Sequence, residues 1–293
     1  MTASTTRLSV WPVAQDTARA QRSGRYLPGS TAHPGKMLPA LARQAIATYT
    51  DAGQLVIDPM CGIGTTLVEA VHLGRRAVGV EFEPRWAALA AANVGHAREQ
   101  GATGQALAMR GDARQLGRGL LDDLAGQASL ILTSPPYGPS VHGQVRAREG
   151  RVEKSDDRYS ENRENLGQLP AGPRTSALSP KLSAALLEIL AGCRRLLSPI
   201  GRLVMTTRPY RHRNVLVDLP GAVIRLAEQA GLALEERNVA LLAGLRDDRL
   251  VPRVSFFQLQ RQRAGTVPRM QLIAHEDVLV FRKTASGTER AVA

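Results

Sequence analysis

The chain has 293 residues and an apolar fraction of 43%, enough to bury a real core, which excludes a globally disordered protein. Its net charge of +12, carried mostly by arginine, favours a polyanionic partner, nucleic acid ahead of an acidic membrane surface, although a GC-rich genome that encodes Arg in place of Lys gives the same figure without any binding. Two cysteines, Cys61 and Cys193, stand in no paired spacing and indicate neither a disulfide framework nor a metal site; a polar N-terminus and the lack of any span-length apolar run point to a soluble, cytoplasmic protein with no membrane partner.

Residues 1–32 are read as a flexible N-terminal arm: 1–24 are rich in Ser, Thr, Arg and Gln, with no sustained period. From Tyr26 the chain becomes a loop punctuated by Pro28, Gly29, Pro34 and Gly35. A helical pattern follows through Met37, Leu38, Leu41, Ala45 and Ile46. Lys36 at its start is unusual, because cations are disfavoured at that end of the helix dipole; a bound anion or carboxylate would explain it.

Leu55–Asp58 reads as a short strand, Pro59–Thr66 as a glycine-containing turn, and Leu67–Leu73 as a helix closed by Gly74. Strand, glycine turn and helix open a doubly wound α/β fold. Gly62 and Gly64 let the backbone approach a ligand closely. The pattern is not G-x-G-x-x-G, and Asp58 precedes it. An acid there repels a pyrophosphate but suits a cationic cofactor; S-adenosylmethionine (SAM) carries both a sulfonium and an α-ammonium. A structural tight turn is the other reading.

Ala77–Glu81 is a second strand ending in an acid, about twenty residues past the turn, where a carboxylate can accept both ribose hydroxyls. Trp86, at the start of the next helix, reads as core. Leu107–Asp112 is a weaker third strand whose terminal Asp112 can accept from an adenine amino group, and a helix of poor propensity is expected over 115–124. The apolar run Ala128–Leu132 then delivers Thr133-Ser134-Pro135-Pro136-Tyr137. Two consecutive prolines have no N–H and a fixed φ, so the strand stops there in a rigid turn. Its free carbonyls can accept from a ligand's amine and its tyrosine ring can stack on a planar base; a plain loop or a proline-rich docking motif has the same sequence.

Residues 138–180 form a long polar segment in which Arg146 and Arg148 alternate with acids; it reads as a substrate loop beside the turn, or as a charged linker. Leu182–Leu197 is a strong amphipathic helix and Arg202–Thr207 a fifth strand. Arg208, Arg211 and Arg213 follow it, in a stretch from Arg194 to Arg213 that holds no acid, as a phosphate backbone would require. A helix over 219–230 and a strand over 232–239 come next; 241–250 is ambiguous, and 243–272 reads as a basic insertion. Glu276–Lys283 is a clear strand, with a tail at 284–293.

Taken together these residues resemble the SAM-dependent amino-methyltransferases of DNA, which modify cytosine N4 or adenine N6. His33-Pro34-Gly35-Lys36-Met37 resembles the family's cofactor-flanking motif, and Asp58-Pro59-Met60-Cys61-Gly62-Ile63-Gly64-Thr65-Thr66 its methionine-binding loop. Thr133–Tyr137 resembles its catalytic motif and His275–Lys283 its closing strand, in the gamma-like order. The resemblance implies a Rossmann-like methyltransferase domain over 33–283, with a seven-stranded, mostly parallel sheet whose last strand is antiparallel. It implies that Lys36, Asp58, Pro59, Cys61, Gly62, Gly64, Thr65, Thr66, Glu81 and Asp112 hold SAM. Ser134 and the Pro135 carbonyl would localise the amine's lone pair on nitrogen, with Pro136 shaping the turn and Tyr137 stacking on the extruded base, and neither a metal nor a covalent intermediate is needed. Ser at position 134 leans towards cytosine N4 of DNA; adenine N6 is the alternative. RNA methyltransferases acting on guanine N2 of tRNA resemble the chain at the same turn, but usually carry an N-terminal RNA-binding domain for which residues 1–32 are too few.

Overall fold

The computed structural model describes residues 6–116, 118–136, 145–148, 151–154, 160, 162, 164–166, 169, 178–212, 215–253 and 271–284. Its strands in chain order are β1 (Val10–Trp11), β2 (Leu55–Asp58), β3 (Arg76–Glu81), β4 (Gln105–Arg110), β5 (Ala128–Thr133), β6 (Val145–Arg148), β7 (Arg151–Lys154), β8 (Leu197–Thr207), β9 (Tyr210–His212), β10 (Val215–Val217), β11 (Leu232–Leu241), β12 (Ala243–Arg246), β13 (Arg249–Pro252) and β14 (His275–Lys283). The helices are α1 (Ala18–Arg22), α2 (Pro39–Tyr49), α3 (Thr65–His72), α4 (Pro84–Glu99), α5 (Pro180–Leu196) and α6 (Leu219–Gln229).

One sheet of eight strands organises the chain, in the order β1-β11-β14-β8-β5-β2-β3-β4. β14 runs antiparallel to both neighbours, β11 and β8, while the pairs β8–β5, β5–β2, β2–β3 and β3–β4 are parallel. The seven strands from β11 to β4 are the Rossmann-like arrangement expected from the motifs, antiparallel last strand included. The eighth comes from the N-terminus.

The central strands are apolar on both faces because helices cover both. Period-two alternation sorts the side chains. Leu55, Ile57, Ile131, Leu279 and Phe281 join the core under α5 and α6. Val56, Leu130, Leu132, Val278 and Val280 join the core under α2 and α3. Helix α5 starts where Ser179 accepts from the Leu182 amide at 3.3 Å and Pro180 takes the first turn, then lays Leu182, Leu186, Ile189, Leu190 and Cys193 on the sheet.

Several expectations are corrected. Residues from Val10 to Ala32 are no arm: β1 pairs in parallel with β11, α1 is capped by Thr17, and Trp11, Arg22 and Tyr26 are buried. The polar composition hid this because the anchors are isolated. Arg25 and the Tyr26 hydroxyl both bond the fully buried Glu69 carboxylate, at 2.7 and 2.8 Å, and so tie the segment to α3. Among the described residues no α-helix spans 115–124; two short 3₁₀ turns, Ala113–Gln115 and Asp122–Leu124, stand there, with Leu121 left-handed at φ 62°. The ambiguous run 241–250 belongs to the end of β11 and the β12–β13 hairpin, turned by Asp247 and Asp248 at φ 45° and 60°. That hairpin opens the stretch read as a basic insertion, whose residues 254–270 lie outside the described residues, as does the tail beyond Thr284. Among the described residues no helix is long and apolar enough to cross a membrane.

Trp11 is 5% exposed and packs in the core under α2. Trp11→Ala is expected to cost about 3–5 kcal/mol of unfolding free energy in urea denaturation, the usual range for a buried aromatic. A loss under about 1 kcal/mol would mean that β1 only rests on the sheet.

Candidate active site

The carboxyl ends of the parallel strands open on a cavity of about 300 Å³. Its lining crosses the sheet edge: Asp112 after β4, Glu81 on β3, Asp58 on β2, Ser134 after β5, Thr206 and Arg208 at the end of β8, and Glu276 on β14. Between β2 and β5 the connections diverge to opposite sides of the sheet, the place where doubly wound folds bind ligands.

The turn after β2 is held by the acids that flank it. Asp58 Oδ2 accepts from the Thr66 hydroxyl at 2.6 Å and Oδ1 from the Met60 amide at 3.1 Å. Glu81 Oε2 accepts from the Gly62 amide at 2.9 Å and Oε1 from the Glu83 amide at 2.8 Å. Both glycines are left-handed, Gly62 at φ 54° and Gly64 at φ 81°, which other residues rarely adopt. They do different work. A Cβ on Gly62 would stand 3.2 Å from the His33 ring, which itself meets Trp86 edge-on at 4.7 Å. Gly64 does not line the cavity; a Cβ there would stand 3.1 Å from Ala90, so it seats α3 against α4. Thr65 and Thr66, which open α3, do line the cavity, and α3 has no acid in its first turn, so its free amides suit a ligand carboxylate.

Burial dominates the electrostatics of the acids at the turn. Burial pushes the Asp58 carboxyl up to about 6, against the bonds from Thr66 and Met60. Burial pushes Glu81 up to about 7, against the amides of Glu83 and Gly62. Burial also drives the Cys61 thiol well above its ordinary value, with Asp58 and Glu81 adding to it, so this cysteine packs rather than reacts. Asp112 behaves differently. Burial raises its pKa, but Arg114, bonded to it at 2.6–3.0 Å, outweighs burial and holds it below the usual range. Its open acceptors are correspondingly fewer.

Lys36 is not at a helix start, since α2 begins at Pro39. Its ammonium donates to the Thr31 carbonyl at 3.0 Å and to that of His33, and so braces the loop that carries His33. Burial lowers its pKa to about 8, with Arg22 adding to the shift. Lys36 lines the cavity as well, with Pro59, Cys61, Pro135 and Pro136. Thr133 and Pro135 are buried and Ser134 and Pro136 half-buried, so the turn's serine is reachable from the crevice.

The expected polynucleotide contacts are dispersed. Arg208 lines the crevice; Arg211, on β9, does not. Arg146 and Arg148 fall on β6, where the backbone alone is described, and Tyr137 and Arg213 lie outside the described residues. The reading from sequence missed Arg114, Asn165, Thr206 and Glu276. Asn165 donates to Glu83 Oε1 at 2.8 Å, and Glu164 lies 3.9 Å from Arg114, so part of the segment read as a substrate loop docks beside Glu81 and Asp112. Only the run of polar residues around 160–166 could have hinted at it.

Residues 2–92 match a family model described as DNA methylase, a stretch that includes His33–Met37 and the turn after β2. Over this stretch the chain is similar to the N6/N4 amino-methyltransferases. Over 124 residues the chain is 32% identical to a tRNA (guanine(10)-N2)-dimethyltransferase of Methanocaldococcus jannaschii, covering 42% of this chain and 33% of that protein. Over 74 residues it is 28% identical to the type II methyltransferase M.MjaII of the same organism, covering 25% of this chain and 14% of that protein. The chain therefore spans a third or less of the length of these relatives. The crystal structure of TrmN from Thermus thermophilus is similar at a TM-score of 0.48 and 20% identity, over 90% of this chain and 53% of that one.

The residues present fit SAM, the cofactor of such a methyltransferase domain. Two buried carboxyls at raised pKa gain from a cationic ligand, and the amides that open α3 suit its carboxylate. Because the folded carboxyls bind protons more tightly than the unfolded chain, they take stability from the ligand-free protein as pH rises from about 4 to about 7. A cationic ligand favours their ionised forms, so its affinity rises over the same window. Calorimetric SAM binding is expected to be about tenfold or more weaker at pH 5.5 than at pH 7.5, and the pH dependence to flatten in Asp58→Asn. A flat profile in the parent protein would remove both acids from the cofactor site.

Proposed function

We propose that the protein transfers the methyl group of SAM to an exocyclic amine of a nucleobase in a polynucleotide, with cytosine N4 of DNA as the first choice. The observation that carries this reading is the position of Ser134. It directly follows β5, lines the same cavity as Asp58 and Glu81, and among the described residues its hydroxyl enters no hydrogen bond. Bound SAM supplies an electrophilic methyl group. An exocyclic amine is a poor nucleophile because its lone pair is delocalised into the ring. The Ser134 hydroxyl and the Pro135 carbonyl accept the amine's hydrogens, which keeps the lone pair on nitrogen and holds it towards the cofactor side of the crevice. Pro136 makes the turn rigid, so these acceptors need no reorganisation. Tyr137, next in sequence, is assigned the stacking role.

Cytosine is preferred because the residue ahead of Pro-Pro is a serine rather than an aspartate. A base in a duplex must leave the stack to reach the crevice, at a cost of a few kcal/mol. Adenine N6 fits the same acceptors. A second reading, methylation of guanine N2 in RNA, is favoured by the 32% identity to a tRNA guanine-N2 enzyme.

Labelled SAM offered with genomic DNA and, separately, with total RNA is expected to yield N4-methylcytosine in DNA by nucleoside mass spectrometry. Ser134→Ala should lower kcat by about 100-fold, the scale of losing one preorganised polar contact, with SAM affinity unchanged. Label in RNA alone would sink the DNA assignment, and label in neither polymer would sink the activity.

A further inference from the structure

Thr206 lines the crevice but has no part in either the cofactor or the amine reading. It belongs to β8, the strand beside β5. Register places it. Leu132 pairs with Val204 and Thr133 with Met205, so Ser134, the next residue, is level with Thr206. Leu132 and Val204 lie in the core under α2 and α3, and side chains two positions further on return to the same face. Neighbouring strands stand about 4.8 Å apart, so Ser134 and Thr206 are lateral neighbours on one wall of the cavity.

Thr206 is 1% exposed, and its buried Oγ1 has no hydrogen-bond partner among the described residues. An open buried hydroxyl is costly, and folded proteins keep few of them. Its neighbours on that face narrow the choice of partner. Val204 precedes it by two positions on β8 and Val278 pairs with it from β14, and neither side chain has a polar atom. Arg208 follows it by two positions, and a guanidinium only donates. Glu276 lies diagonally across β14 and has an acceptor oxygen in either protonation state, so it suits the Thr206 proton. On the remaining side stands Ser134, whose hydroxyl also enters no hydrogen bond among the described residues.

We propose that Thr206 is a positioning residue whose hydroxyl takes the Ser134 proton and so turns the serine's lone pairs towards the substrate amine. The assignment rests on the reading that Ser134 accepts a hydrogen from a base amine. Pro135 and Pro136 fix the backbone of the turn, but not the rotation of the serine hydroxyl. A freely turning hydroxyl can donate to the amine nitrogen, and it then occupies the lone pair that must attack the methyl group. With its proton held on Thr206 Oγ1, Ser134 can only accept. The amine's hydrogens stay with Ser134 and the Pro135 carbonyl, and Thr206 adds no contact to the base. Neither hydroxyl is bonded to the other in this structure. An arriving amine that donates to Ser134 strengthens the serine's own O–H donor, so the pair closes, by rotation about the side chains, as substrate binds.

The test uses the full-length protein, saturating SAM and its preferred oligonucleotide. Thr206→Val keeps the shape and removes the hydroxyl. It is expected to lower kcat by about tenfold, the scale of one hydrogen bond, with SAM affinity and the KM for the oligonucleotide unchanged. Its Tm should be no lower than the parent's, because the hydroxyl it removes has no partner to lose. Thr206→Ser returns the hydroxyl and should restore kcat to within about threefold. In a Ser134→Ala background, Thr206→Val should cost less than about twofold more, because its effect runs through the serine. A Val variant as fast as the parent overturns the assignment, and so does a tenfold loss repeated in full in the Ser134→Ala background. A Ser variant as slow as Val, or a Val variant with a clearly lower Tm, gives Thr206 a packing role and overturns it as well. A parent protein inactive on every polynucleotide overturns the underlying reading instead, and shows itself before any variant is made.

Discussion

Two buried carboxylates hold the turn between β2 and α3. Where β2 gives way to α3 the backbone must turn within a few residues and pass twice through left-handed conformations, at Gly62 and Gly64. Asp58 and Glu81 fix that turn by accepting from the Met60 and Gly62 amides and from the Thr66 hydroxyl. Both acids are nearly inaccessible to solvent, so the arrangement keeps ionisable groups where ionisation is costly. A cationic ligand at this corner relieves that cost. Fold and ligand preference are thus one electrostatic problem, set at the carboxyl ends of β2 and β3.

The surrounding structure stiffens this corner from several directions. Gly64 lets α3 close on α4, and Gly79 leaves room on β3 for Cys61 and Leu67, since a Cβ there would stand 2.8 Å from the Cys61 sulfur. His33 packs on Trp86 from the loop before α2, and Lys36 ties that loop's carbonyls together. The N-terminal residues join through Arg25 and Tyr26, which satisfy the Glu69 carboxylate on α3. Burial of Glu69 without these partners would cost several kcal/mol. The segment before β2 thereby braces the Asp58 and Glu81 side of the crevice, although it contributes no acid to it.

The far side of the crevice is organised by β14, the strand that runs against its neighbours. Reversing its direction brings its first residues, rather than its last, to the sheet edge where the parallel strands end. That reversal is why Glu276, near the start of β14, reaches the same cavity as Ser134 just after β5. In a wholly parallel sheet the same sequence would place that carboxyl at the opposite edge.

Local chemistry determined much of this protein from sequence alone. Apolar runs specified β2, β3, β5 and β14, because strands covered on both faces are rich in Val, Ile and Leu. Asp58, the glycine turn, Glu81 and the Pro-Pro turn were legible for the same reason: each is defined by residues within a few positions of one another. Other features follow from long-range contact and leave no local mark. A two-residue strand at Val10 pairs with residues near position 240, Arg114 takes up Asp112, and Asn165 reaches Glu83 across 82 positions. Sequence could say that acids end the parallel strands. Only the tertiary structure decided which acids hold backbone amides, which are neutralised by arginine and which face the cavity unpaired, because burial and partner geometry set the state of a carboxyl and neither is written in its neighbours along the chain.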